Sequence, residues 1–418
     1  MNKDYDIVKG FRYIPPEKAL EEVLKHIQSI NEVEEIPILN SVGRILAEDI
    51  IVKEDIPPRD TSHFDGYAAN YEDTLNASYE NPVRLKIKGD IAPNEVHNYE
   101  ISKGEVYRIS TGGYLPKGAN TIIPVEAVRV LDKETIQITR KSKPMEHVIK
   151  CGEDYKSGEI ALKIGRIIRP VDIDLMAYIK IKRVKVYRKP VIAVLAVGDE
   201  LIIEETSPHT YMIMKLIEEF GATPIDMGIA KDDNMDIMYK IGKSLKICDL
   251  LITIGGCSVG EMDLVPDAVM SMPKSKIIVR GIMRVPGRQT SFAIVDGKPI
   301  LMLPGLIQST IIGFYTLGLP LILKLSNNNA KPMKLKVKSF REIIIENMLP
   351  FERAVFGRII ELKEIPIVEI LTGKSLLRRM MIDSHGFIVI PPFKNAINKG
   401  EDLELNLFKP NLYDNYGD

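Results

Sequence analysis

The 418-residue chain has no tryptophan, only three cysteines and six histidines, and almost no net charge. Each scarcity removes a class of function. Cys151, Cys248 and Cys257 are far apart with no CxxC pair, and no histidines show HExxH spacing, so a zinc site is excluded and free buried thiols are expected. The 56 Lys and Arg nearly cancel the 57 Asp and Glu, which leaves no global field to attract nucleic acid or an anionic membrane. The N-terminal residues lack an apolar signal region, and no stretch reaches the roughly 18 uninterrupted apolar residues of a membrane span, so a cytoplasmic location is expected.

What is present fits a multidomain globular protein: 45% hydrophobic and 27% charged residues, with 26 Pro and 29 Gly spread along the chain. The length predicts two to four domains. Residues 16–30 carry Ala19, Val23, Ile27 and Ile30 at helical spacing, and a second helix is expected after Pro170. The two are candidates to pack together. Between them, short alternating runs separated by Gly, Pro and Asn predict an inserted β-rich lobe.

From Val191 to Ser326 the pattern becomes a regular alternation of apolar strands and amphipathic helices, the signature of a doubly wound, mainly parallel sheet. Beyond an Asn-rich run at 327–329 the period returns to two, which predicts a small C-terminal β domain. Ligands of doubly wound sheets bind beyond the carboxyl ends of the strands. Four such ends here are polar or glycine-rich: 197–200, 230–234, 255–263 and 303–309.

Asp199, Glu200, Asp232 and Asp263 lie in these loops, and converging carboxylates suit a Mg²⁺ ion that also touches substrate phosphates. Each aspartate alone is explained by helix capping, Asp263 with Pro266 behind it in particular. Four loops on one sheet edge ask for more. Gly255 and Gly256 permit close backbone approach, and Ser258 adds a hydroxyl donor. In the lobe, Asp60, Ser62 and Asp65 fit Asx-type turns, and Thr111 to Gly113 fit an ordinary hairpin. The stretch Thr372–Ser375 looks like the end of a P-loop, but the required upstream glycine is Val368, which removes the main sign of a nucleotide kinase or GTPase.

Taken as ordered blocks, DTSHFDGYA (60–68), ISTGGYLPKGANTIIPVE (109–126), CGEDYKSGE (151–159), AVGDEL (196–201) and CDLLITIGGCSVGEMD (248–263), with VPGRQTSF and LPG more weakly, resemble the MoeA/gephyrin family of molybdopterin molybdenumtransferases. The resemblance implies a discontinuous helical dimerisation domain (1–48 and 150–184), a β-rich lobe (49–149), a molybdopterin-binding α/β domain (185–328) and a C-terminal β domain (329–418). It implies a homodimer with an active site shared between subunits. The implied reaction is Mg-dependent insertion of molybdate or tungstate into adenylylated molybdopterin with release of AMP.

Carried over by position, the resemblance assigns catalytic roles to Asp65, Thr111, Asp154, Glu200, Asp232 and Asp263, the last three as Mg ligands, and leaves Asp199 as a loop neighbour. Asp65 and Thr111 are implied to come from the partner subunit. Substrate is implied to touch Gly255, Gly256, Ser258, Gly260, Pro286, Gly287, Arg288, Pro304, Gly305 and Ser375. The chain departs from the family on the cationic side. The usual Lys-Pro-Gly-Lys-Pro is Val285-Pro286-Gly287-Arg288-Gln289, and a turn proline is absent from Pro304-Gly305-Leu306-Ile307. Arg284 is a candidate to compensate for the missing lysine, and a non-catalytic molybdopterin carrier or scaffold is the alternative function.

Overall fold

The computed structural model describes residues 13–205, 207–257, 264–345, 350–373 and 377–408. They form two compact units, one within residues 13–47, 165–170 and 183–408, the other within residues 48–164 and 171–182.

The first unit is built on a six-stranded sheet. Its strands are β1 (Val191–Val197), β2 (Thr223–Ala230), β3 (Leu250–Ile254), β4 (Ser275–Arg280), β5 (Ser291–Val295) and β6 (Lys298–Leu303), in the spatial order β2-β1-β3-β6-β5-β4. The first four are mutually parallel, whereas β5 and β4 extend the sheet antiparallel, so the mainly parallel expectation holds. All five residues of β3 are buried, as a strand covered on both faces requires. One face packs Ile192, Val194, Ile213, Ile217 and Phe314, the other Ala193, Leu195, Ile237, Ile241 and Val265.

The helices Pro208–Glu219, Asn234–Leu245 and Leu264–Ser271 alternate with the strands. Helix Ile307–Leu325 is long and apolar enough to cross a membrane, yet 89% of its apolar window is buried within the protein. A helix apolar all round is what a core position demands.

The N-terminal helix is shorter than its period suggested. It covers Pro16–Leu24 and packs on β4 and on the buried helix, while Ile27 and Ile30 continue into the same core beyond its end. The second expected helix, Pro170–Tyr178, lies mostly in the other unit. The segments before and after the lobe are joined by strand pairing. In the first unit Val33–Pro37 pairs with Arg183–Tyr187, and in the second Ile50–Ile51 pairs with Ile160–Leu162 and Thr61–Ser62 with Val148–Ile149.

The C-terminal strands close on themselves. Lys334–Ser339, Asp402–Leu407, Gly386–Ile390, Glu352–Glu361 and Ile367–Leu371 pair in that order, and the last pairs back with the first, forming a five-stranded barrel around Val337, Val368, Ile370 and Leu405. Arg284–Val285 joins it from outside, parallel to Glu352–Arg353.

The second unit holds the β-rich lobe, a six-stranded sheet in the order Thr121–Pro124, Gly66–Ala69, Glu105–Ile109, Val83–Ile91, Thr135–Ile138, Val128–Val130.

Candidate functional site

From β1 the chain passes to β2 on one side and then to β3 on the other, so the strand order reverses between β1 and β3. Helices leave these two ends on opposite faces, and a crevice must open between them. Its floor is glycine. Gly255 has φ +91°, and a Cβ there would collide with the Val197 carbonyl oxygen at the end of β1. A side chain on Gly256, φ +64°, would come within 2.6 Å of Val265. Gly305 presses on the Gly255 Cα, which brings the end of β6 to the same place.

Carboxylates rim this crevice. Asp199 and Glu200 open the short helix Asp199–Ile203 after β1, and the Glu200 carboxylate folds back over Gly198, where a Cβ would meet it at 2.6 Å. Asp232 follows β2. Asp199 N–H donates to Asp232 Oδ2 at 3.3 Å, and Asp232 N–H donates to Asp199 Oδ1 at 3.1 Å. Asp199 is therefore a reciprocal partner of Asp232 and more than a loop neighbour, a link between loops 33 residues apart that spacing does not reveal. Asp233, by contrast, caps helix Asn234–Leu245 by accepting from Asp236 N–H at 2.9 Å. Among the described residues, no Lys or Arg pairs with Asp199, Glu200 or Asp232, and no group of three metal-binding side chains is complete. The expected site residues Ser258, Gly260, Asp263 and Ser375 lie outside the described residues.

On the far side of the Pro304–Leu306 loop is a cleft of about 480 Å³, within the size range of small-molecule sites. Pro286, Gly287, Arg288, Ser309, Arg353 and Thr372 contribute to its wall. Gly287, at φ +107°, lies against the backbone of the buried helix, 3.4 Å from the Ser309 carbonyl by its missing Cβ. Among the described residues no side chain caps the start of that helix, and uncapped first-turn N–H groups favour an anion. The Arg288 side chain has no ion-pair or hydrogen-bond partner among the described residues, while its backbone carbonyl accepts from Ile282 N–H at 2.9 Å. Arg353 and Ser309 are site residues that sequence reasoning missed, because the barrel strand carrying Arg353 reaches the cleft only through its non-local pairing with Arg284–Val285.

Arg284 does not stand in for the missing lysine. It is only 9% exposed, with Nε and Nη2 donating to Glu352 Oε2 at 2.9 and 2.7 Å and Nη1 donating to Thr316 Oγ1 at 3.0 Å. Its fork is fully engaged on protein groups.

In the lobe, strand Gly66–Ala69 runs antiparallel to Glu105–Ile109 with Gly66 opposite Ile109, so the residue before the first meets those after the second. Asp65 Oδ1 accepts from Thr111 N–H at 2.6 Å and from Thr111 Oγ1 at 3.0 Å. These two hydrogen bonds, the backbone one foremost, with Arg108 nearby, hold the Asp65 carboxyl below its usual range. Asp154 is exposed, its N–H donating to the Ile56 carbonyl at 3.0 Å.

The thiols divide. Cys248 and Cys257 are buried as expected, burial pushing Cys248 up to about 11, but Cys151 is exposed and donates to Asp55 at 3.5 Å.

In chain order the β-rich lobe precedes this sheet with its glycine-floored crevice, and the barrel strands follow it. Residues 14–179 match the family described as "MoeA N-terminal region (domain I and II)", and residues 193–324 match the "Probable molybdopterin binding domain". A protein of Methanocaldococcus jannaschii named for molybdopterin biosynthesis is 30% identical over 425 residues, spanning 96% of this chain and 100% of its own. The molybdopterin molybdenumtransferase of Staphylococcus epidermidis is 29% identical over 96% of this chain and 97% of its own. A solved MoeA structure from Pyrococcus horikoshii superposes with a TM-score of 0.81 at 27% identity, over 95% of this chain and 100% of that one. The chain belongs to the MoeA family.

Proposed function

We propose that the chain is a molybdopterin molybdenumtransferase of molybdenum-cofactor biosynthesis that inserts molybdate or tungstate into adenylylated molybdopterin and releases AMP. The observation that carries this reading is the glycine-floored crevice at the strand reversal, rimmed by Asp199, Glu200 and Asp232 without a cationic partner among the described residues.

Hard carboxylate oxygens left without Lys or Arg fit Mg²⁺, which takes one or two carboxylates and completes its shell with water or phosphate oxygens. Glu200 and Asp232 would hold the ion, with Asp263 as the third carboxylate implied by the family; bound there, it neutralises phosphoanhydride charge. The residues of the chain do the rest. Backbone at Gly255 and Gly256 approaches the ligand closely, since no side chain intervenes. Arg288, the Ser309 hydroxyl and the first N–H groups of helix Ile307–Leu325 hold a tetrahedral oxyanion in the adjoining cleft. No nucleophilic side chain is needed, because charge stabilisation at the anhydride and leaving group accounts for the chemistry.

In this reading the Asp65–Thr111 pair, and Asp154 with them, belong to a site completed by a second copy of the chain in a cytoplasmic homodimer. The four-part division at about residues 49, 150, 185 and 329 is the working domain plan. Incubation of the purified chain with adenylylated molybdopterin, Mg²⁺ and molybdate tests the function. AMP release that requires both Mg²⁺ and oxyanion supports it; tight pterin binding with no AMP under those conditions makes the chain a carrier instead.

A further inference from the structure

The loop Val285–Gln289 carries Arg288 into the cleft, and at its start a buried side-chain contact adds to the backbone bonds that Met283 makes with Ile14 and Glu352. Arg284 Nε and Nη2 both bond to Glu352 Oε2, and Nη1 bonds to Thr316 Oγ1, so a single side chain ties the loop strand, the barrel strand and the buried helix together. Glu17 approaches the same guanidinium at 3.8 Å. The strand register is Arg284 to Glu352 and Val285 to Arg353. Alternation along the barrel strand turns Glu352 toward Arg284, and Arg353 lines the cleft on the opposite side. The ion pair thus sits one residue from Arg353 and four from Arg288, the two guanidiniums of the cleft wall.

We infer that Arg284 and Glu352 are positioning residues for oxyanion binding: their ion pair, braced by Thr316, fixes the register that places Arg288 and Arg353 across one cleft. A planar fork recognises a tetrahedral oxyanion only when its approach is fixed, and a displacement of about 1 Å is enough to weaken such a contact severely. Without the clamp, the two-residue strand Arg284–Val285 is held by very few ladder bonds. The inference rests on the proposed oxyanion cleft, and the test separates the two.

The experiment measures equilibrium binding of tungstate to the purified full chain, together with half-saturating molybdate and half-saturating adenylylated molybdopterin in AMP release. The variants are Arg288→Ala, Glu352→Gln, Arg284→Lys and the double change Glu352→Gln with Arg288→Ala. Arg284→Lys keeps the charge but loses the fork, so it serves where Glu352→Gln does not fold. Expected for Glu352→Gln or Arg284→Lys is about tenfold weaker tungstate binding and a matching rise in half-saturating molybdate, with the pterin value within about twofold. In the Arg288→Ala background, Glu352→Gln costs clearly less than it does alone, because part of the clamp's effect passes through Arg288 and only the part carried by Arg353 remains. A folded Glu352→Gln or Arg284→Lys protein with unchanged tungstate binding overturns the clamp while leaving the cleft intact. Equal losses for both substrates, or full additivity in the double change, reduce it to a structural contact. Unchanged oxyanion binding in Arg288→Ala removes the cleft reading itself.

Discussion

Asp199 and Asp232 each accept a hydrogen bond from the other's backbone N–H, so the loops after two neighbouring parallel strands are tied to one another through their own carboxylates. The arrangement keeps one oxygen of each carboxylate in the tie and leaves the other for a cation or for water.

Removing either side of this tie has an asymmetric consequence. Asp232→Ala deletes a proposed Mg²⁺ ligand and the acceptor for Asp199 N–H, whereas Asp199→Ala deletes only the acceptor for Asp232 N–H and leaves the bond from its own N–H to Asp232 Oδ2. Partners of a ligand that do not touch the metal commonly cost about 10- to 100-fold. Asp199→Ala should therefore raise the Mg²⁺ needed for half-maximal AMP release by about tenfold, and Asp232→Ala by more. Wild-type Mg²⁺ dependence in Asp199→Ala would make it a bystander.

The crevice floor predicts a steric difference between two glycines. Gly255 and Gly297 both have positive φ, +91° and +79°, but nothing lies near the missing Cβ of Gly297, whereas that of Gly255 falls on the Val197 carbonyl. Gly297→Ala should cost about 1 kcal/mol in urea unfolding from the backbone conformation alone. Gly255→Ala should cost clearly more, about 3 kcal/mol or beyond, since the β1 and β3 ends must separate. Equal costs would show that the strand ends are not in contact there.

The Asp65 carboxyl should titrate below its ordinary value of 3.8 because Thr111 donates to the charged form from both backbone and side chain. A depressed carboxyl contributes stability above the unfolded value that is lost as pH falls through the lower folded value. Carbon-detected NMR titration reads this directly. Thr111→Val removes the hydroxyl donor but keeps the backbone one, so the midpoint should rise only part of the way; no movement would show that the hydroxyl is not bound.

How far the sequence reached is clearest at particular residues. The strands and helices of residues 191–325 follow from local periodicity, because parallel strands buried on both faces must read as unbroken apolar runs, as in Leu250–Ile254. The same logic overshot at Ile27 and Ile30, which keep helical spacing beyond Leu24 because the chain continues across one hydrophobic core after the helix ends. The carboxylates Glu200 and Asp232 were visible as strand-end residues. The Asp199–Asp232 tie, the closure of the barrel and the engagement of Arg284 by Glu352 were not, since each depends on register between segments from 29 to 72 residues apart.

His209 offers a stability switch outside the site. Its Nε2 is buried with no hydrogen-bond partner among the described residues, and burial together with Arg378 holds the imidazole below its ordinary 6.5. The unfolded chain then binds the proton more readily than the folded one, so stability should fall as pH drops below about 6.5 toward the folded value. His209→Gln should flatten this slope in pH-dependent thermal unfolding. A slope unchanged by the substitution would assign it elsewhere.

The account stands most directly on one reaction: the purified chain with adenylylated molybdopterin, Mg²⁺ and molybdate, with AMP and metal-bound cofactor quantified in the same sample. It predicts that the two products appear together in equal amounts, and that neither forms when Mg²⁺ or molybdate is omitted. Pterin bound tightly with no AMP, or AMP released without metal insertion, would contradict it.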